Sequence, residues 1–184
     1  MTIAAVNLLK TSEMRGQGGQ VLLLLLSLKN IIFVPINVFC KMTEVVFEAE
    51  GVEMPALDRE MVKKWVVAVA GKFGKTVGTL TYIFCNDEKI LQVNREFLKH
   101  DYYTDIITFD YSTRRRISGD MFISLDTIRS NAEMLGRTYD DELRRVVIHG
   151  VLHLLGINDK GPGERKVMEQ HEDEALSMLY DGRF

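Results

Sequence analysis

The sequence predicts an α+β fold, in which a small mixed four-stranded sheet packs with about five helices. The first observation is size, because 184 residues suffice for one ordinary domain and are too few for two. The second is composition, since 46% hydrophobic and 27% charged residues are typical of a globular protein. The third is hydrophobic periodicity, which switches between strand-like and helix-like spacing beyond residue 42 without a regular βαβ alternation.

Four short segments have the composition and period of β-strands. Residues 43–50 alternate apolar and polar side chains, as a half-buried strand does. The other three are rich in β-branched and aromatic residues, which favour strands, and a polar turn over 112–120 separates the last two. These three segments are 77–85, 106–111 and 121–125.

Five segments have the apolar spacing of amphipathic helices. The first opens at Pro55, and the second takes Asp87 as its candidate N-cap. The third and fourth each end at a glycine, Gly136 and Gly156, because glycine tolerates the left-handed backbone that closes a helix. The remaining predicted bounds are 127–135, 140–155 and 164–179.

The first 41 residues differ from the rest of the chain. Residues 21–39 are strongly apolar, but Lys29, Asn30 and Pro35 interrupt a run that would need about 20 unbroken apolar residues to span a membrane. A membrane anchor, a secretory signal and an upstream extension are the three interpretations. We favour an extension over 1–41 and a functional domain over 42–184, and we expect no stable membrane association.

Charge and cysteine content restrict the function classes. A net charge of -3 argues against a broad basic face for non-specific nucleic-acid binding, so any phosphate-binding site must be a local patch. Cys40 and Cys85 are the two cysteines of the chain, too few for a disulfide framework or a thiolate metal site. This cysteine usage fits a reducing compartment, and we therefore predict a cytoplasmic protein.

The most informative stretch is the end of the fourth predicted helix. His149 and His153 are four residues apart, which places both imidazoles on one helical face, one turn apart. Gly156 can turn the chain so that Asp159 returns its carboxylate to the same point. Two imidazoles and one carboxylate are a typical ligand set for catalytic zinc, which keeps its fourth position open. The sequence therefore predicts one Zn²⁺ per chain at the end of a buried central helix.

The spacing of these ligands is also that of metzincin-type peptidases. Those enzymes place a glutamate directly after the first histidine as the general base, and here that position is Gly150. Glycine cannot accept a proton from water, so a metallopeptidase is the alternative and not the leading hypothesis.

The histidine motif resembles the signature of the YbeY family of bacterial endoribonucleases that act in ribosomal RNA maturation. The stretches that carry the resemblance are His149-Gly150-x-Leu152-His153-Leu154-x-Gly156, Asn94, 104–109 and 119–124. The resemblance covers about 43–180. It implies an α+β fold, a single zinc-type site, and single-stranded RNA or ribosomal RNA precursors as substrate. Ribosomal subunit proteins are further candidate partners.

The chain departs from the family pattern at two positions. Asp159 stands where the family usually has a third histidine, and a carboxylate is also a competent zinc ligand. Leu98 stands where the family has a functional arginine, so we assign the catalytic cation or acid–base role to the neighbouring Lys99 and His100. The missing arginine and the acidic balance also keep open a third hypothesis, a non-catalytic metal-containing ribosome assembly factor.

Overall fold

A computed structural model describes residues 43–184 and three short strands nearer the N-terminus, at 4–7, 26–27 and 30–31. Met42 and most of the apolar run over 21–39 lie outside the described residues, and the assignment of 1–41 to an extension stays a prediction. Among the helices of the described part, none is both long and apolar enough to cross a membrane.

The strands form a mixed sheet at the centre of the domain. Their bounds are β1 Ala4–Asn7, β2 Leu26–Ser27, β3 Asn30–Ile31, β4 Glu44–Ala49, β5 Thr76–Cys85, β6 Ile106–Asp110 and β7 Arg116–Ser124. The sheet order is β1-β6-β7-β5-β4, in which β6 and β7 pair antiparallel and the other neighbours pair in parallel. The four strands from β4 onward are the predicted mixed sheet. β1 pairs with the outer edge of β6, and β2 and β3 pair with each other.

Five α-helices complete the predicted α+β class, which is confirmed. Their bounds are α1 Arg59–Lys72, α2 Asp87–Val93, α3 Leu125–Leu135, α4 Tyr139–Leu155 and α5 Glu164–Tyr180. A π-helical turn over Asn94–Leu98 continues α2, and the sequence analysis did not predict it. Such turns are rare and occur often at functional sites.

Two predicted helix starts are corrected by the caps. The first helix begins at Arg59 and not at Pro55, because the Asp58 side chain accepts a hydrogen bond from the Met61 amide and so caps it there. The second helix is capped by the side chain of Asn86, so Asp87 is its first residue and not its cap.

The last strand is longer than its sequence predicts. β7 begins at Arg116, inside the predicted turn over 112–120, because it pairs there with β5. Pairing with a neighbouring strand overrides the polar composition that suggested a turn. Local sequence therefore placed this strand correctly but underestimated its length.

The central helix α4 is buried along its whole second half. Residues 146–155 are all buried, since α1, α3, α5 and the strands β6 and β7 contact the helix from different sides. Gly150 faces the sheet: a Cβ there would lie 2.7 Å from the Ile106 side chain and 2.8 Å from Met121 Sδ. The missing side chain thus lets α4 approach the sheet closely. This approach sets the distance of His149 and His153 from the sheet.

Candidate metal centre

The two predicted histidines project from the C-terminal turns of α4. Thr138 caps the start of this helix, and Gly156 ends it with φ of 97°, a left-handed conformation suited to glycine. The reversal brings the backbone carbonyl of Ile157 to 2.9 Å from His153 Nδ1. The chain then continues to Asp159, so the turn after the helix delivers the carboxylate back to the two rings.

The structure brings all three predicted ligands together. The rings of His149 and His153 have centroids 4.5 Å apart and lie nearly perpendicular to each other. The two oxygens of Asp159 lie 3.9 Å from His149 Nε2 and 3.8 Å from His153 Nε2. One candidate ligand atom from each residue lies within 4.8 Å of the other two, and among the described residues this is the group of three that could hold a metal ion.

The polar atoms of this cluster test whether a metal ion fits. His149 Nε2, His153 Nε2 and Asp159 Oδ1 are buried without any hydrogen-bond partner. A buried polar atom without a partner costs about 1–3 kcal/mol, and three that face one another are not explained by packing. One cation between them satisfies all three, so the residues present fit a metal ion.

Hydrogen bonds on the far side of each ring fix its tautomer. The Ile157 carbonyl can only accept, so His153 must donate from Nδ1 and leave its Nε2 lone pair free. His149 Nδ1 lies 2.6 Å from the Glu172 carboxylate and likewise donates. Burial, reinforced by the neighbouring His149, lowers the pKa of His153 to about 4, so this ring is neutral at physiological pH. Neutral imidazoles with free Nε2 atoms are the form that binds metal.

A charged network behind His149 holds its partner in place. Arg145 donates to Glu172 and to Asp173, at 2.8 Å in each case. Burial raises the pKa of Glu172, but the hydrogen bonds from His149 and Arg145 and the charge of Arg145 outweigh it, so the pKa lies below its usual value. Glu172 is therefore an ionised acceptor. The arrangement is the carboxylate–histidine pair that orients metal ligands in many proteins.

A cavity of about 120 Å³ opens beside His149. Asp105 lies on its wall and is 3% exposed, with its carboxylate accepting hydrogen bonds from the Ile106 amide and from Asn131. Burial raises the pKa of Asp105. Three arginines and three glutamates share the wall with it. The lining residues are Asp105, Leu135, Arg137, Glu142, Arg145, Val146, His149, Arg165, Glu169 and Glu172.

Lys99 and His100 do not line this cavity. The Lys99 ammonium donates to the Glu96 carbonyl at 3.0 Å, and its backbone has a φ of 59°, the left-handed region. The ring of His100 stacks on Tyr102 and lies 3.0 Å from its hydroxyl. The catalytic roles assigned to these two residues stay predictions.

Sequence reasoning missed the residues that support the ligands. Arg144 and Arg145 are adjacent in sequence, but Arg144 pairs with the acidic start of α4 whereas Arg145 pairs with α5. Glu172 lies in a strongly charged stretch of the sequence, yet its side chain is only 5% exposed. A possible signal was its position on the apolar side of α5, four residues after the buried Met168.

Together the fold and the site define a class: an α+β protein with a preformed three-ligand centre suited to a catalytic metal ion. Residues 46–180 match the family described as Endoribonuclease YbeY. The chain belongs to the YbeY family.

Named relatives agree over nearly their whole length. Endoribonuclease YbeY of Bacteroides thetaiotaomicron is 61% identical over 73% of this chain and 98% of its own length. The Porphyromonas gingivalis protein of the same name is 51% identical, over 76% of this chain and 93% of its own length. The solution structure of a Thermotoga maritima protein has the same fold, with a TM-score of 0.53 and 22% identity over 75% of this chain and 93% of that one.

Proposed function

We propose that this protein is a metal-dependent endoribonuclease that cleaves single-stranded RNA in ribosomal RNA precursors. The observation that carries the metal dependence is the set of three buried, unpartnered ligand atoms on His149, His153 and Asp159. The endoribonuclease activity follows from the family, whose relatives are named for it. Precursor ribosomal RNA and a cytoplasmic location are the substrate and setting that we expect, with ribosomal proteins as candidate partners.

We assign the metal as one Zn²⁺ per chain. Two imidazole nitrogens and one carboxylate oxygen are a common catalytic zinc ligand set, and three protein ligands leave a fourth position for water or substrate. Such an ion supplies Lewis acidity toward a phosphoryl oxygen and makes hydroxide accessible near neutral pH. The chain orients the two rings through Glu172 and the Ile157 carbonyl, and it keeps the centre within a mostly buried pocket.

The peptidase alternative is weakened by the environment of Gly150. A glutamate at this position would project into Ile106 and Met121 on the sheet, so the position of the metzincin base is filled here by packing. The packing of α4 therefore leaves no room for a base directly after the first histidine. A non-catalytic assembly factor would bind RNA without cleaving it. Measuring binding and cleavage separately therefore distinguishes this hypothesis from the endoribonuclease.

The decisive experiment uses nuclease-free protein on end-labelled single-stranded RNA and on the matching duplex. We expect cleavage of the single strand, loss of cleavage with a chelator, and recovery when Zn²⁺ is restored. The His153→Ala variant, purified in parallel, controls for contaminating nuclease. Cleavage that survives the chelator would contradict the metal-dependent mechanism, and RNA binding without any cleavage would favour the assembly factor.

A further inference from the structure

The cavity beside His149 holds three arginines, and they differ in how firmly each is held. Arg137 donates to Glu142, whose side chain is 3% exposed, at 2.8 Å. Arg145 is fixed by Glu172 and Asp173 behind the metal centre. Removing either guanidinium from its partner would leave a buried carboxylate uncompensated, which costs several kcal/mol. Neither arginine is therefore available to a ligand without damage to the fold.

Arg165 is different. It lies in the first turn of α5, and its side chain is 47% exposed. It forms an ion pair at 2.8 Å with Glu169, one turn along the same helix. The Glu169 side chain is 50% exposed, so water can solvate it if Arg165 leaves. An exposed pair of this kind contributes little, typically about 0–1 kcal/mol. Arg165 is thus the arginine of this cavity that can exchange its partner at a small cost in free energy.

Arg165 also lies close to the ligands. The hydrogen bond from Arg165 to Glu169 raises the pKa of the guanidinium, and the negative charges of Glu172 and Asp159 raise it further. Arg165 lines the same cavity as one ligand, His149, and as Glu172, the hydrogen-bond partner of that ligand. Gly163, two residues before Arg165, caps α5 without a side-chain hydrogen bond, so Arg165 lies in the first turn, where the helix dipole carries its partial positive charge.

The charges of the cavity favour an anion at this point. Glu142 and Glu172 are each neutralised by an arginine at 2.8 Å. A divalent ion at the three ligands adds positive charge next to Arg165. A phosphate group that replaces Glu169 at the guanidinium therefore enters a site in which Glu142 and Glu172 are already compensated by arginines.

We propose that Arg165 is the substrate-binding arginine of this enzyme, and that it holds a non-bridging phosphate oxygen of the RNA strand beside the metal centre by exchanging Glu169 for phosphate. This inference rests on the proposed endoribonuclease function. The planar guanidinium can grip phosphate through two parallel hydrogen bonds, which a lysine cannot reproduce. Arg165 thereby positions the phosphodiester relative to His149, on the cavity side of the ligand set.

The test compares Arg165→Met and Arg165→Lys with Arg183→Met. Arg183 is a matched control, because it is 63% exposed and pairs with one exposed carboxylate, Asp181. Binding of a nuclease-resistant 2′-O-methyl RNA strand is measured over a range of salt concentrations, and kcat and KM are measured on cleavable RNA. We expect binding to weaken about ten- to a hundredfold in Arg165→Met, with an intermediate value in Arg165→Lys. The slope of log K against log salt should fall by about 0.7, the loss of one phosphate contact on a single strand.

A second variant has the opposite expected sign. Glu169→Gln releases Arg165 from its ion pair, so this variant should bind RNA more tightly than the wild type. The zinc content of Arg165→Met should equal that of the wild type, because Arg165 is not a metal ligand. Equal binding and salt slopes in Arg165→Met and Arg183→Met would overturn this inference while leaving the endoribonuclease intact. Wild-type protein that neither binds nor cleaves RNA would instead overturn the proposed function and this inference with it.

Discussion

Sequence analysis assigns catalytic roles to two parts of the molecule, and the structure holds them in different ways. At the metal centre, a contact between distant residues fixes one ring, because His149 pairs with Glu172, 23 positions away. The other ring, of His153, is held by the Ile157 carbonyl in the turn that follows the buried helix. In segment 94–103, polar side chains bond to near neighbours, as Arg95 does with Asp101 and Lys99 with Glu96. The first region is buried and determined by tertiary packing, whereas the second is largely exposed and locally organised.

This difference shows which side chains the fold positions most accurately. Two of the three ligands stand on the most buried helix of the described residues, between the close packing at Gly150 on one side and the Arg145–Glu172 charge network on the other. The exposed segment can change its contacts without disturbing that arrangement. We therefore expect substitutions at the metal centre to have large, coupled effects and those in segment 94–103 to have small, local ones.

The largest effect is expected at the ligands. His153→Ala should lower RNA cleavage by well over the roughly hundredfold that loss of a ligand's hydrogen-bond partner costs, because one of three metal bonds is removed. The measurement is kcat/KM on single-stranded RNA at saturating Zn²⁺. His171→Ala, which removes a histidine paired with Glu174 on α5, is the control. Similar activity in His153→Ala and His171→Ala would contradict the claim that His153 is a metal ligand required for cleavage.

Glu172→Gln should have the next largest effect. The amide keeps the shape of the side chain but loses the charge that accepts from His149 and pairs with Arg145, so Zn²⁺ affinity should fall about ten- to a hundredfold. Competition with a chromophoric chelator measures this affinity. Glu174→Gln, on the same helix but 69% exposed, should bind Zn²⁺ as the wild type does. Equal affinities would show that Glu172 does not orient His149.

Gly150→Ala tests the close packing of α4 against the sheet, which positions His149 and His153. The added methyl meets two buried side chains at less than 3 Å, so the free energy of unfolding should fall by about 1–3 kcal/mol. Gly71→Ala, at an exposed position of α1 with open space around it, should instead raise stability by about 0.5–1 kcal/mol. Urea titration of both variants decides, and a stable Gly150→Ala would contradict the close approach of α4 to the sheet.

The smallest effect is expected in the exposed segment. Lys99→Gly relieves a left-handed backbone that disfavours lysine, so stability should rise by up to about 1 kcal/mol, with Zn²⁺ affinity unchanged. We also expect cleavage to persist, because the Lys99 amine is absent from the cavity wall. Lys99→Asn, which also tolerates this backbone, serves as the second variant. Loss of cleavage in both would support the catalytic role that the sequence assigned to Lys99.

The same contrast explains what the sequence could predict. Helical spacing and one glycine sufficed to predict that His149, His153 and Asp159 meet, since each relation is local. The Arg145–Glu172 pair and the place of Asp105 depend on how α4, α5 and β6 pack, which no short pattern encodes. The early start of β7 was missed for the same reason, because pairing with β5 determines it.

Position 98 carries leucine instead of the family's arginine, and sequence and structure suggest different residues for the missing cation. Proximity in sequence suggests Lys99 and His100, whose polar groups bond locally in the structure, and their catalytic role stays a prediction. Leu98 itself packs against an apolar cluster that includes Ile90 and Phe109. Arg165, which shares a cavity wall with His149 and has an exchangeable partner, is 67 positions further along the chain. Spatial neighbours of a site must therefore be sought in the fold.

The metal content of the untagged protein tests the central claim most directly. Elemental analysis after dialysis against Zn²⁺ should give one zinc ion per wild-type chain and little in His153→Ala or Asp159→Ala, with all three proteins folded by circular dichroism. Stoichiometric zinc in both variants, or a wild-type chain that binds none, would contradict the account that these residues form a metal centre.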